Sequence, residues 1–301
     1  MHGALSPAAD ALASEVPPAP QRHQSYLRVV FGRFLRQPIP VIAAVILLAI
    51  ILAAVGADLV APHDPFQTRV SRRLAAIGTS DRLLGGDELG RDVLTRLIYG
   101  GRISLTMAIV PVAIGLFIGG FLGILAGYAG GRVNMAIMRA MDVFYAFPSI
   151  LLAVAIAGAL GPGLVNGILA LSLVFIPPIA RMAESVTTQV RGYEYVVAAR
   201  LSGASTVRIL REHVLSNVAG PILVFSSSQV SVSIIAASGL SFLGLGVSPP
   251  LADWGLMLSA LRQSIYVNPW VAALPGAMIF ITSMSFNLVS DGVRKSMEVR
   301  R

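Results

Sequence analysis

The chain has no cysteine, which excludes disulfide staples, thiolate nucleophiles and cysteine-held metals. Charge is scarce too: Asp, Glu, Lys and Arg make up 13% of 301 residues, about half the usual share of a soluble domain, while 55% are hydrophobic. Histidines are few, and none of His2, His23, His63 and His213 lies in an apolar run or at metal-ligand spacing. Metal-dependent catalysis therefore has no support. No Gly-x-x-x-x-Gly-Lys-Ser/Thr loop is present, so the chain lacks that phosphate cradle. Asp142 is the clearest acid near an apolar run, whereas aspartyl-type intramembrane chemistry needs two carboxylates close enough to share a proton.

What the chain has is length in its apolar runs. A helix needs roughly 20 residues to cross about 30 Å of hydrocarbon, and six stretches qualify: Pro40 to Val60, Ile103 to Tyr128, Ala136 to Leu160, Gly163 to Met182, Val218 to Gly246 and Val271 to Val289. Mean hydropathy of +0.76 agrees. The expected fold is an all-α bundle of six transmembrane helices. Residues 1–38 read as a cytoplasmic tail, Ala/Pro-rich and then basic, without the short apolar core of a cleavable signal peptide. Residues 39–100 form the first span and an outer loop, 101–291 a five-helix core, and 292–301 a second tail.

Lys and Arg outnumber Asp and Glu by 23 to 15, giving a net charge of +8. The basic residues are scattered at span edges with no aromatic-interleaved patch, which argues against nucleic acid. The positive-inside rule uses them to set orientation. Fifteen fall in the two tails, near Arg132 and Arg139, and between Arg181 and Arg211; eight fall outside, seven of them between Arg69 and Arg102. The majority puts both termini in the cytoplasm. The outer arginines dissent, and Asp64, Asp81, Asp87, Glu88 and Asp92 lie in the same loop to pair with them.

Gly115, Gly119, Gly123 and Gly127 recur every four residues along the second span and make a smooth stripe for close helix packing. Polar groups in hydrocarbon face protein or a water-filled cavity. Ser227, Ser231 and Ser238 share one face of span five, with Gln229 and Ser233 on another, and span six carries Ser283, Asn287 and Ser290. Two readings stand for Ser227, Gln229, Ser231, Ser283 and Asn287: they line a translocation path, or they join helices by hydrogen bonds. Asp142 is likewise either functional or an interfacial ion pair. Gly244, Gly246, Pro249 and Pro250 should stop span five, with Trp254 and Trp270 near the water interface. The outer loop so formed is a docking surface or a re-entrant cap.

Between spans four and five, Arg191-Gly192 turns the chain, Glu194 suits a helix N-terminus, and Gly203 suits a left-handed C-cap. The helix between them is short, roughly 13 Å. Ser205 then caps a second helix running through Val214. Ala198 and Ala199 leave little side chain between the first helix and anything that docks on it.

The pattern Val197-Ala198-Ala199, three residues, Gly203, nine residues, then His213-Val214-Leu215-Ser216 resembles the EAA loop of binding-protein-dependent ABC importer permeases. Val197 stands where Glu is usual and Ser216 where Pro is usual. Leu84-Gly85-Gly86-Asp87-Glu88-Leu89-Gly90-Arg91-Asp92, with Leu240 to Val247, Pro249-Pro250 and Asp253-Trp254-Gly255, is similar to the dipeptide, oligopeptide and nickel permease subfamily, on the side of its second permease subunit. Asp142 with Ala146-Phe147-Pro148 fits a family stretch in span three.

The resemblance implies a type I ABC importer permease in a bacterial inner membrane. Residues 191–216 would hold a coupling helix, with Glu194, Val197, Ala198, Ala199, Arg200 and Gly203 contacting the ATPase. Implied partners are a related permease, two cytoplasmic ATP-binding subunits carrying ATP and Mg, and an extracytoplasmic substrate-binding protein. The chain itself is expected to hydrolyse nothing and to need no cofactor. The rival is an ion-gradient-driven secondary transporter, which calls for ionisable groups at mid-membrane and broken helices. Pro177-Pro178 could break span four, but no deep charge accompanies it.

Overall fold

The long apolar runs satisfy their backbone N–H and C=O groups internally, as lipid demands. The computed structural model describes residues 26–79 and 81–298, and no strand occurs among them. Most of the N-terminal tail, with Arg22, and the last residues, with Arg300 and Arg301, lie outside the described residues. Helices α1 (Tyr26–Leu35) and α2 (Pro38–Val55) are followed by α3 (Val93–Ala129), α4 (Gly131–Tyr145), α5 (Ser149–Leu160), α6 (Leu164–Arg191) and α7 (Glu194–Leu201). Then come α8 (Thr206–Phe242), α9 (Trp254–Ala260) and α10 (Pro269–Met297).

Five of these, α2, α3, α6, α8 and α10, are long and apolar enough to cross a membrane. The expected third span is not one straight helix: α4 and α5 meet at a bend of 83°. Pro148 has no N–H to donate and pushes Phe147 away from helical geometry, so the chain turns there. The pair qualifies as a sixth span only when counted together.

The second span starts ten residues before Ile103, at Val93, and runs across the expected boundary at residue 100. Asp92 caps it by accepting from the Thr95 N–H at 2.9 Å. Arg96 and Arg102 interrupt the apolar pattern there, but Arg96 is held by protein groups, not by lipid. Pro177-Pro178 does not break α6, which is continuous through both prolines. The helix expected after Ser205 is not separate from span five: it continues through a π turn, Ile209–Leu215, into α8.

The most extensive interface joins α3 to α6, and the glycine stripe makes it. Gly115, Gly119, Gly123 and Gly127 are all buried. A Cβ on Gly119 would stand 2.5 Å from the Ile176 carbonyl oxygen, and one on Gly127 2.7 Å from that of Glu184. Only glycine lets the backbones approach so closely, and in lipid such packing is the main adhesive between helices. α8 lies against α10, α3 and α6, while α2 covers α10 and α3 from outside. Ile42, Val45, Leu48 and Leu52 of α2 stay exposed, as suits a lipid-facing edge.

Candidate coupling and translocation sites

α7 hangs between α6 and α8 on a few fixed points. Arg191 donates to the Tyr128 carbonyl at 3.1 Å, tying the end of α6 to the end of α3. Val196 is fully buried and anchors α7, while Val197 and Ala198 are exposed and Ala199 is half-buried. Glu194 occupies the exposed first turn, and the Arg200 guanidinium lies 5.7 Å from the centre of the Tyr128 ring. Gly203 has φ +79, the left-handed conformation glycine adopts freely, and the Ala204 N–H returns to the Ala199 carbonyl at 3.1 Å. Ser205 then caps α8.

These six residues therefore share one short helix and its end, but not one face. Ala199 turns toward the core and Arg200 toward Tyr128, leaving Val197 and Ala198 outward. Leu201, 83% exposed, and Val207, 74% exposed, are further exposed apolar side chains at the end of α7 and the start of α8. Sequence reasoning missed Leu201, although it stands one helical turn after Val197.

The residues expected along a path are not gathered in one place. Ser283 donates to the Ser231 carbonyl at 3.0 Å, and the Ser227 and Ser290 hydroxyls lie 2.8 Å apart. Ser227, Ser231 and Ser283 therefore clamp α8 to α10. Gln229 lines an apolar cavity of about 510 Å³ between the α4–α5 bend, α6 and α8. Asn287 lines a second cavity, about 830 Å³, between the ends of α6, α8 and α10. Asp142 is exposed, ion-paired with Arg181, whose guanidinium also covers the Tyr145 ring at 4.4 Å.

At the end of the bundle opposite α7, the loop before α3 holds a buried charge cluster that the sequence suggested only as loop pairing. The Asp87 carboxylate accepts from Arg91 Nε at 2.6 Å and lies 3.4 Å from Arg96 Nε, while Arg91 also reaches Glu88 at 2.9 Å. Arg82, buried, faces Asp92 at 3.8 Å. Exposed Asp81 pairs with Arg69 at 3.1 Å and Arg72 at 3.9 Å. Gly85, Gly86 and Gly90 let this loop fold tightly: a Cβ at Gly85 would stand 2.9 Å from Val271 and closer still to the Ala75 carbonyl. Arg96 donates to the Pro65 and Pro250 carbonyls, 3.4 Å each, so one side chain joins the loop before α3 to the loop between α8 and α9.

Asp253 caps α9 from the same end. It accepts from Ser104 at 2.5 Å and from the Leu256 N–H at 3.1 Å. Burial pushes its carboxyl above the ordinary carboxylate range, and the Ser104 hydrogen bond opposes that rise. Trp254, expected at the water interface, is fully buried against Gly100 and Gly101 and donates to the Leu97 carbonyl at 2.8 Å. The two glycines make its slot. Trp270, 75% exposed, is free to sit at an interface.

Residues 119–300 match the family described as "Binding-protein-dependent transport system inner membrane component". Residues 25–76 match "N-terminal TM domain of oligopeptide transport permease C". The glutathione transport system permease protein GsiD of Pectobacterium atrosepticum is 40% identical over 271 residues, 90% of each chain. The di/tripeptide transport system permease protein DppC of Pseudomonas aeruginosa is 41% identical over 257 residues, 84% of this chain and 85% of that one. Among solved structures, the inward-facing MetNI methionine ABC transporter has a chain that superposes with a TM-score of 0.57 at 18% identity, over 68% of this chain and 97% of its own. At that identity the likeness carries the fold alone. Matched over more than half its length, and about 40% identical to named permeases over most of it, the chain belongs to the family of binding-protein-dependent transport system inner membrane components.

Proposed function

We propose that this chain is the permease subunit of an ATP-driven importer of short peptides, lining the translocation path together with a related permease. The observation that carries the reading is α7: a short helix pinned at Val196 and Arg191 that presents Val197, Ala198 and Leu201 outward, on the chain's match to the EAA loop. ATP and Mg belong to two separate cytoplasmic subunits, and nucleotide-driven closure of those subunits moves α7. Because Arg191 and Gly203 tie α7 to the ends of α3, α6 and α8, that movement tilts the whole bundle between two packings. Six spans, with the α4–α5 pair as the third, put both tails in the cytoplasm of a bacterial inner membrane. The opposite end, stiffened by the Asp87–Arg91–Arg96 cluster, receives the substrate-binding protein. Relatives named for glutathione and for di/tripeptides support a peptide cargo.

The test is a photo-crosslinking residue at Ala198 and, for comparison, at Leu48 on the lipid-facing edge. Capture of an ATP-binding subunit from Ala198 and not from Leu48 is the expected result. Equal capture from both sites, or none from Ala198 in an importer that hydrolyses ATP, contradicts the docking role.

A further inference from the structure

The two cavities differ in chemistry. The one beside Gln229 is walled by Phe144, Phe147, Phe175 and other apolar groups and contains no charged residue. The one at the α7 end is lined by Asn217, Asn287, Ser290, Asp291, Arg294 and Glu298 among its walls. Its volume of about 830 Å³ falls within the usual range for small-molecule sites.

Arg294 Nη2 donates to Asp291 Oδ1 at 2.8 Å from one helical turn away. This is the only hydrogen bond of either side chain among the described residues. A guanidinium has five N–H donors and a carboxylate two acceptor oxygens, so both partners retain unused bonding edges. The pair is also exposed, 63% and 41%, so little holds it against an incoming ligand. Asn287 is exposed beside it and makes no side-chain hydrogen bond among the described residues.

Because Arg294 and Asp291 are already paired with each other, a ligand reaches only their free outer edges, one of each sign and farther apart than the 2.8 Å bond between them. Such edges suit a ligand carrying separated charges of both signs. A simple anion meets Asp291 and Glu298, and a simple cation meets Arg294. A dipeptide has its ammonium and carboxylate separated by roughly two residues of chain, about 7 Å at full extension. We infer that the cavity between the ends of α6, α8 and α10 is a binding site for short zwitterionic peptides, with Arg294 taking the carboxylate and Asp291 the ammonium group. On the peptide-importer reading, upon which this rests, it is where cargo is held before release into the cytoplasm. Asn287 is then a lining residue of this site, whereas Gln229 belongs to the apolar cavity and contacts no peptide terminus.

The test uses the complete importer in lipid nanodiscs without its binding protein, with saturation-transfer NMR reporting contact with free dialanine. Dialanine is expected to bind, and N-acetyl-dialanine amide, which lacks both charges, to bind about tenfold more weakly. R294Q and D291N should each weaken dialanine about tenfold, with assembly checked by size-exclusion chromatography. Equal binding of the two peptides, or unchanged binding in R294Q, overturns the inference; if the variants fail to assemble, the two-peptide comparison on the native importer decides alone. ATP-dependent dialanine uptake is measured alongside with the binding protein present. Uptake without this binding overturns the site alone, whereas absence of uptake overturns the peptide reading and this site with it.

Discussion

Gly123→Ala and Gly120→Ala add the same methyl group within one turn of α3, and the structure separates their outcomes. A Cβ at Gly123 would stand 2.6 Å from Ala183 Cβ and 2.9 Å from the Glu184 nitrogen, and closer to the Ala180 carbonyl. Carbon atoms pack at about 3.5–4.0 Å, so α6 has to retreat by roughly 1 Å. That retreat also loosens the contacts at Gly119 and Gly127, and such overpacking costs about 1–3 kcal/mol. A Cβ at Gly120 meets only its own helix's Leu116 Cδ1, at 3.8 Å, an ordinary contact. Alanine there recovers up to about 1 kcal/mol of helix propensity. That propensity gain is common to both positions, so the two substitutions should differ by the overpacking cost alone, about 1–3 kcal/mol in stability. SDS-induced unfolding of the full chain, followed through tryptophan fluorescence, reads that difference. Equal midpoints for the two variants would refute the claim that the stripe works by backbone approach.

Arg91→Ala removes the 2.6 Å bond to the buried Asp87 carboxylate but leaves it Arg96 at 3.4 Å and the backbone N–H groups of residues 89 and 91, and should cost about 1.5–3 kcal/mol; limited proteolysis within residues 62–92 checks it. Asp253 has a folded pKa raised above its ordinary value of 3.8. The folded chain thus holds that proton more tightly than the unfolded one, and its stabilisation is complete below pH 3.8 and declines as pH rises toward the raised value. Asp253→Asn should remove that decline, as unfolding midpoints across the acid range will show. Asp253→Ala should cost about 1–2 kcal/mol through the lost α9 cap at all pH values. Ala198→Trp, on an exposed position, should leave folding unchanged but separate ATP hydrolysis from uptake, read by assaying both on one preparation.

The long spans were legible because hydrocarbon allows few alternatives to an apolar helix. The α7 unit was legible too, because Gly203 and Ser205 act within a few residues of where they stand. The start of α3 was not, since Arg96 and Arg102 look incompatible with a span until the Pro65, Pro250 and Ala54 carbonyls that receive them are known. Trp254 was misplaced for a related reason: its slot comes from Gly100 and Gly101, over 150 positions earlier. The bend at Pro148 has a local cause, but apolar content on both sides concealed it. Polar residues in the spans were the least informative. Ser227 and Gln229 are two positions apart, yet one joins helices and the other faces a cavity, a difference set by which neighbour packs against each.

The central claim is that this chain moves solute only under the control of an ATPase docked at α7. Peptide uptake into vesicles reconstituted with the two permeases and the binding protein, with and without the ATP-binding subunits, tests it most directly. Uptake should require the ATP-binding subunits and ATP hydrolysis, and an imposed proton or sodium gradient should not replace them. Gradient-driven uptake by the permeases alone would contradict the account.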